Sequence, residues 1–195
     1  MKISVILGHP TAGSFNHAIA DAALGDLKTR GHQVFFHDLY AERFDPLLVT
    51  GEIPREAVLP ADLDLHCGEI AAADGIIIIH PNWWSMPPAI LKGWVDRVLR
   101  PGMAYNFEED GKGGSRSVGL LRAKRALVVT TANNPQENEV AMLGDPLEGW
   151  WKRCVFGLCG VPVERRIFSP VILSTLDQRK QWLEDVRQAV AEIFP

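Results

Sequence analysis

The sequence predicts a doubly wound α/β fold, in which a parallel sheet carries helices on both of its faces. Five apolar segments of strand length alternate with segments of helix length along the 195 residues, as parallel sheets require. The most apolar segment is a run of four isoleucines at residues 76–79, which is typical of a strand buried on both faces. The predicted strands comprise residues 3–7, 32–39, 76–79, 126–131 and 163–171.

Helices are predicted between these strands from apolar spacing and from end signals. Ser14 is a suitable N-cap for the first helix, and Gly31 follows its predicted end. The helix that starts at Pro88 has a wide apolar face, which suits packing on a sheet or at a subunit interface. The predicted helices comprise residues 15–30, 61–73, 88–100, 147–158 and 176–194.

Two segments show neither the apolar pattern of a strand nor that of a helix. Residues 40–60 contain three prolines, and a stretch of this length is expected to wrap the surface or to line a site. Residues 108–119 contain four glycines and are predicted to form a mobile loop or hairpin that closes over a pocket. Because no linker, repeat or low-complexity segment interrupts the chain, we expect a single domain over residues 1–195.

Three polar loops follow predicted strands, at residues 8–16, 81–85 and 130–134. In the strand order 2-1-3-4-5, the first, third and fourth strands are neighbours, and ligands bind at the carboxyl ends of such strands. We therefore expect the three loops to form one site for a planar, phosphorylated ligand.

The first loop predicts a phosphate site of a particular kind. It contains neither the GxGxxG pattern nor a GK[ST] pattern, which argues against a Walker-type triphosphate site. The free amides of a helix N-terminus next to His9, Ser14 and Asn16 suit a mono- or diphosphate. A capped helix without a ligand would give the same pattern, so this loop alone does not decide between the two.

The other two loops suit the ring of the ligand. Trp83 and Trp84 can supply an apolar surface for a flat ring, and since adjacent residues cannot both point inward, at least one should reach the site. Core packing would explain a single tryptophan equally well, and Trp94 is expected in the core. The hydroxyls and amides of residues 130–134 can stabilise negative charge on a reduced ring. An ordinary polar loop after a strand would have the same composition.

Composition excludes several classes of function. The net charge of −4, without a dense basic patch, argues against a nucleic-acid partner. No apolar run reaches the length of a membrane span, and the N-terminus lacks a signal-peptide pattern. Three cysteines suggest a reducing, cytoplasmic compartment, in which Cys154 and Cys159 would be small buried residues. The six histidines show no metal-binding spacing, so no metal site is predicted.

Four motifs, taken together, resemble a known family. They are His9 followed by Ser14-Phe15-Asn16, Asp38-Leu39-Tyr40-Ala41, the PAILKGW block of residues 88–94, and Gly102-Met103-Ala104-Tyr105. With them the chain resembles, nearly from end to end, the NAD(P)H:quinone oxidoreductases of the flavodoxin-like fold. The resemblance implies a tightly bound flavin, NAD(P)H as hydride donor, a quinone or similar acceptor in a two-step exchange, and a homodimer.

The resemblance also implies roles for individual residues. The implied contacts of the flavin phosphate and ribityl chain are His9, Ser14, Phe15 and Asn16. The implied ring contacts are Asn82, Trp83, Trp84 and Ser85, with Thr130, Thr131, Ala132 and Asn133 at the pyrimidine edge. Tyr105 and Phe107 are implied to bind the substrate, with Tyr105 contributed by the other subunit of the dimer.

The chain departs from the animal members of the family at two places. Their tyrosine and histidine after the Thr-Thr loop are replaced by Glu137 and Leu143, so backbone amides with Asn133 or Asn134 are expected to take over charge stabilisation. The segment after Phe44, which helps to hold the adenine of FAD in those enzymes, is shorter here. Arg179 falls where relatives have an adenine-side arginine, and FAD is therefore expected, with FMN as the alternative.

Two other functions fit the same resemblance. Some relatives of this size are regulatory subunits of glutathione-gated potassium efflux systems, in which docking to a transporter matters as well as turnover. A one-electron flavodoxin is the other alternative, but such carriers tend to be more acidic than a net charge of −4 implies.

Overall fold

A computed structural model describes residues 1–111 and 113–195. Five parallel strands form one sheet in the order β2-β1-β3-β6-β7, and β4 pairs with β5 in an antiparallel hairpin. Counted along the chain, the five parallel strands have the predicted order 2-1-3-4-5, and the fold is flavodoxin-like, as expected. The strands are β1 (Lys2–Leu7), β2 (Gln33–Asp38), β3 (Gly75–Pro81), β4 (Tyr105–Glu109), β5 (Ser115–Gly119), β6 (Arg125–Thr131) and β7 (Val163–Phe168).

Helices cover both faces of the sheet, because side chains of a strand alternate between its faces. Ile77 and Ile79 of β3 pack in one hydrophobic cluster with α1 and α7, whereas Ile76 and Ile78 pack in a second cluster with α2 and α3. No helix of the described residues is long and apolar enough to cross a membrane. The helices are α1 (Phe15–Thr29), α2 (Ala61–Ala72), α3 (Ala89–Val98), α4 (Gln136–Leu143), α5 (Pro146–Gly149), α6 (Phe156–Cys159) and α7 (Leu176–Ile193).

The irregular segment of residues 40–60 is bound tightly to α3. Arg97 of α3 donates two hydrogen bonds, of 2.8 and 2.6 Å, to the buried carboxylate of Glu52. A Cβ at Gly93 would lie 2.2 Å from the carbonyl oxygen of Pro46, so the helix approaches this segment more closely than alanine allows. The segment therefore wraps the surface of α3, one of the two expected arrangements.

The predicted helix at residues 147–158 is confirmed as one continuous helical segment, but its hydrogen bonding changes along it, from α5 through a π-helical turn (Trp150–Val155) to α6. Two other expectations about local structure are wrong. The last strand ends at Phe168 instead of residue 171, because Pro170 lacks an N–H for the sheet. Cys154 is exposed, whereas Cys159 is buried.

The sequence analysis also missed a helix, α4. Its apolar residues Val140, Met142 and Leu143 are all exposed, so they form no stripe that faces the core and produce no helical signal.

Candidate active site

A cleft of about 420 Å³ lies at the carboxyl edge of β1, β3 and β6, where the three loops meet. The predicted residues that line it are His9, Phe15, Asn16, Asn82, Trp83, Trp84, Ser85, Thr131, Ala132 and Asn133. Residues far apart in the sequence thus converge at one place, as the strand order predicts. Pro81, Asn134, Glu139 and Val171 line the cleft as well.

Hydrogen bonds join the three loops directly. The backbone N–H of Asn82 donates to the carbonyl of Thr131 at 2.7 Å, and the side-chain amide of Asn16 donates to the Thr131 hydroxyl at 2.9 Å. The N–H of Gly8 donates to the carbonyl of Ile79 at 2.9 Å. Because these bonds lie within the protein, the three loops are joined by contacts that need no ligand.

The first loop places the N-terminus of α1 at the cleft. Ser14 caps the helix, its hydroxyl accepting from the His17 amide at 3.4 Å and lying 2.9 Å from His17 Nδ1. Ser14 is occupied in this way and does not line the cleft, although it was predicted as a phosphate contact. The first-turn amides of Phe15 and Asn16 have no acceptor within the helix, as at every helix N-terminus.

His9 is prepared to donate a hydrogen bond. Its Nδ1 accepts the N–H of Thr11 at 3.1 Å, so the proton of the neutral ring resides on Nε2. Burial is the main effect that lowers the pKa of His9, and the ring is therefore neutral at pH 7.

The second loop exposes its tryptophans in a strained turn. Trp84 is 99% exposed and Trp83 is 42% exposed, as expected if at least one of them serves a ligand. Trp84 and Ser85 have φ angles of 54° and 59°, a region that is costly for residues other than glycine. Strain of this kind concentrates at functional sites.

The third loop splits its residues between the cleft and the core. Asn133 Oδ1 accepts a hydrogen bond from the backbone N–H of Ile172 at 3.1 Å. The Nδ2 group of Asn133 takes no part in that bond. Thr130 does not line the cleft, because its hydroxyl lies beside buried His80, 3.5 Å from Nε2. Burial lowers the pKa of His80 to about 4.

Glu139 is a residue of the cleft that sequence analysis missed. It is 6% exposed and accepts a 3.3 Å hydrogen bond from the side-chain amide of Asn82. It lies on α4, which has no core-facing stripe, so no pattern marked this carboxylate as buried.

Arg179 lies behind the cleft rather than in it. It donates to the carbonyl of Val171 at 3.0 Å and to the Ser174 hydroxyl at 2.8 Å. Its guanidinium also lies 5.8 Å from the centre of the Phe15 ring. Arg179 therefore supports the turn that carries Val171, one of the residues lining the cleft.

Tyr105 and Phe107 are not brought to the cleft of their own chain. Both belong to β4 of the hairpin, and their ring centroids lie 5.6 Å apart. Tyr105 lines a different groove of about 280 Å³, together with Val95 of α3, Trp150 and Cys154. Any contact between these rings and a ligand in the cleft would have to come from a second subunit.

A separate polar cluster is formed by His37, Glu42 and His66, whose ligand-type atoms lie within 4.8 Å of one another. His37 contacts Glu42 at 2.9 Å and Glu69 at 2.7 Å. His66 Nδ1 accepts the indole N–H of Trp94, so the ring proton lies on Nε2, the nitrogen that faces Glu42. A metal would need that lone pair, and the geometry thus favours a hydrogen-bonded network; the absence of a metal site stays a prediction.

Comparison with known proteins places this architecture in a family. A family model described as flavodoxin-like fold matches residues 1–193. An uncharacterized NAD(P)H oxidoreductase of Haemophilus influenzae is 33% identical over 94% of this chain and 91% of its own length. The rat NAD(P)H dehydrogenase [quinone] 1 is 36% identical, but the match covers 53% of this chain and 44% of that enzyme.

A solved structure agrees over nearly the whole chain. The NAD(P)H:quinone oxidoreductase from Methanothermobacter marburgensis superimposes with a TM-score of 0.79 at 28% identity, over 97% of this chain and 95% of that one. The chain therefore belongs to the family of flavodoxin-like fold proteins that includes the NAD(P)H:quinone oxidoreductases.

Proposed function

We propose that this protein is a flavin-dependent NAD(P)H oxidoreductase that reduces quinones or similar planar acceptors by two electrons in a ping-pong cycle. Its family and the names of its relatives support an oxidoreductase that uses NAD(P)H. The observation that carries the proposal is the cleft, where a helix N-terminus, two exposed tryptophans and a polar loop meet at the carboxyl edge of the sheet.

The residues of the cleft fit a flavin. Its volume of about 420 Å³ lies in the range of small-molecule sites. The α1 amides suit a phosphate, and Trp83 and Trp84 offer an apolar surface to a flat ring. Asn82 Oδ1 is a buried acceptor with no hydrogen-bond partner among the described residues, which leaves it available to a donor on the ligand.

When bound, the flavin supplies the redox chemistry, taking a hydride from NAD(P)H and passing two electrons to the acceptor. The net reaction converts NAD(P)H, a proton and a quinone into NAD(P)⁺ and a hydroquinone. The second loop would hold the ring, and the open side of the cleft would admit both substrates in turn. We assign to Asn133, with the neighbouring amides, the stabilisation of negative charge on the reduced ring, in place of the missing tyrosine and histidine.

We further propose a homodimer in which Tyr105 and Phe107 complete the substrate pocket of the other subunit. Their position outside their own cleft supports this arrangement. The groove beside Tyr105 is lined by α3 residues such as Val95 and Leu99, and we propose it as part of the contact surface for the second copy. The charge pattern argues against a nucleic-acid partner.

For the cofactor we propose FAD, with FMN as the alternative. Arg179 supports the turn of Val171 at the rim of the cleft. Ile172 and Leu173 of this turn are exposed, and we propose that the adenosine part of FAD, which extends beyond the first phosphate, contacts them. We propose a cytoplasmic location from the three free cysteines, which suit a reducing compartment. We also propose that residues 1–195 form one flavin-binding domain.

The alternative of a regulatory subunit for a potassium efflux system gains no support from the relatives described above, which are named as oxidoreductases or dehydrogenases. It would gain support only if the protein co-purified with a transporter.

The proposal is tested first by a visible absorption spectrum of the purified protein, recorded again after anaerobic addition of NADPH. We expect flavin bands that bleach with NADPH and return with a quinone, and parallel double-reciprocal plots in steady state. Mass analysis of the released flavin then separates FAD from FMN. A protein that takes up neither flavin would contradict the proposal, and so would bound flavin that neither NADPH nor NADH can bleach.

A further inference from the structure

We propose that Asn82 and Glu139 together recognise the imide N–H of the flavin ring, with Glu139 as a positioning residue that acts through Asn82. This inference rests on the proposed function, since it concerns how the same cleft selects its ring. It gives roles to an unpaired acceptor and to a buried carboxylate.

The orientation of the Asn82 amide is determined by its neighbour. The side-chain N–H of Asn82 donates to Glu139 Oε1 at 3.3 Å, and a carboxylate can only accept. Asn82 Oδ1 must therefore point away from Glu139. It is buried, and it has no hydrogen-bond partner within residues 1–111 and 113–195, a state that is costly for a carbonyl oxygen.

Glu139 is itself unusual in this position. It is only 6% exposed, and it forms no salt bridge with any described residue. Burying a carboxylate without a cation is unfavourable. The other side chains near it on α4, such as Val140 and Met142, point to solvent, so packing does not explain why this one points inward.

The pair is complementary to the ring that the cleft is proposed to hold. The polar edge of a flavin carries one N–H between two carbonyl oxygens, and it thus needs one acceptor between two donors. Asn82 Oδ1 can supply the acceptor. The backbone N–H groups of Trp84, Ser85, Asn133 and Asn134 make no hydrogen bond found among the described residues, and they line the same cleft.

Glu139 also comes from the segment in which the family's tyrosine and histidine are missing. Glu137 and Leu143 stand in those two places, and Glu139 is the carboxylate of this segment that lines the cleft. We assign Glu139 to ring positioning and not to proton transfer. Within the described structure, the hydrogen bond that its side chain makes is the one it accepts from Asn82.

The test measures the binding of two probes to the full chain freed of flavin: FMN, and FMN methylated on its imide nitrogen. We expect the unmodified protein to bind FMN about tenfold more tightly, as for one buried hydrogen bond. In Asn82→Leu, which keeps the volume of the side chain, and in Glu139→Leu, the ratio should approach one. Glu139→Gln should keep most of the tenfold preference for FMN, because the glutamine Oε1 can still accept the hydrogen bond from Asn82. Glu137→Gln, an exposed carboxylate on the same helix, is the matched control and should leave the ratio unchanged.

Different results would overturn the proposal in distinguishable ways. A ratio near one in the unmodified protein overturns it without any variant, so misfolding of a mutant cannot hide the answer. A preference that persists in Asn82→Leu would mean that the added methyl group is rejected by bulk alone. Absence of binding to both probes and to FAD would overturn the proposed function and this inference together, whereas binding without discrimination overturns only the inference.

Discussion

Trp83 and Met86 exchange both of their backbone hydrogen bonds, each 3.0 Å long, and close a turn whose two central residues are Trp84 and Ser85. Both central residues have positive φ, the conformation of a tight hairpin turn that glycine or asparagine usually occupies. The loop therefore holds a large, exposed indole at a position where the backbone favours glycine. This combination of exposure and strain points to selection for a ligand.

Replacing Trp84 should weaken flavin binding without weakening the fold. In Trp84→Ala we expect about a tenfold increase in the Kd for FMN or FAD, which corresponds to one aromatic contact, measured by fluorescence titration. Val58→Ala, at a side chain that is 97% exposed on the 40–60 segment, serves as control. Unchanged flavin affinity in Trp84→Ala would show that the second loop does not hold the ring.

The strain itself can be measured by comparing Trp84→Gly with Trp84→Ala. Both variants lack the ring, but only glycine relieves the cost of a positive φ. We expect Trp84→Gly to be more stable than Trp84→Ala by about 1 kcal/mol in urea denaturation. Equal stability would mean that the turn relaxes in solution.

The Tyr105→Ala variant tests the division of the site between subunits. We expect its flavin content to equal that of the unmodified protein, because Tyr105 lies outside the cleft of its own chain. The KM for a quinone should rise severalfold. Glu109→Ala on the same hairpin is the control. Loss of flavin from Tyr105→Ala would contradict the assignment to the substrate.

Gly93→Ala should destabilise the fold, although alanine normally favours a helix. A Cβ at this position would meet backbone atoms of Pro46 at 2.2 and 2.5 Å, and we expect a loss of about 2 kcal/mol or more from the free energy of unfolding. Gly25→Ala in α1 is the matched control, since nothing lies within 4 Å of its added Cβ. It should stabilise the protein by about 0.5–1 kcal/mol. A stabilising Gly93→Ala would show that α3 does not pack so closely on residues 40–60.

Acid should destabilise the protein through buried histidines. Burial lowers the pKa of His66 from 6.5 to about 4, so between these values the unfolded chain binds a proton that the folded chain does not. Stability is therefore full above pH 6.5 and falls as the pH drops towards 4, by up to about 3 kcal/mol for this group. His80 contributes in the same direction.

The His66→Gln variant measures how much of the acid-induced loss of stability comes from His66. Glutamine can accept the indole N–H of Trp94 but does not titrate, so urea denaturation should show a smaller loss of stability between pH 7 and pH 4 than in the unmodified protein. An identical pH dependence in both proteins would mean that His66 is accessible to water and protons in the folded state.

The role of the first loop is tested by comparing the binding of two flavins that differ only in the phosphate. Because His9 donates through Nε2, we expect His9→Ala to weaken the binding of FMN, which has a phosphate, more than that of riboflavin, which lacks one. Equal losses for both ligands would place His9 away from the phosphate.

The sequence by itself determined the alternation of strands and helices, and the flavodoxin-like order expected for that pattern located the site. Alternating apolar and amphipathic segments leave few ways to build a buried parallel sheet, and its topology brings the loops after β1, β3 and β6 to one edge. That is why residues as distant as Asn16, Asn82 and Thr131 could be expected together, and the structure joins them by hydrogen bonds.

Only the tertiary structure decided which polar groups of those loops face the cleft. Local patterns could not distinguish Thr130, which lies against His80, from Thr131, which lines the cleft. Nor could they reveal the buried Glu139, because its helix shows no core-facing stripe and its burial depends on the side chain of Asn82, 57 residues away in the chain. Orientation and burial of single side chains depend on contacts between distant segments, which the periodicity of one segment does not encode.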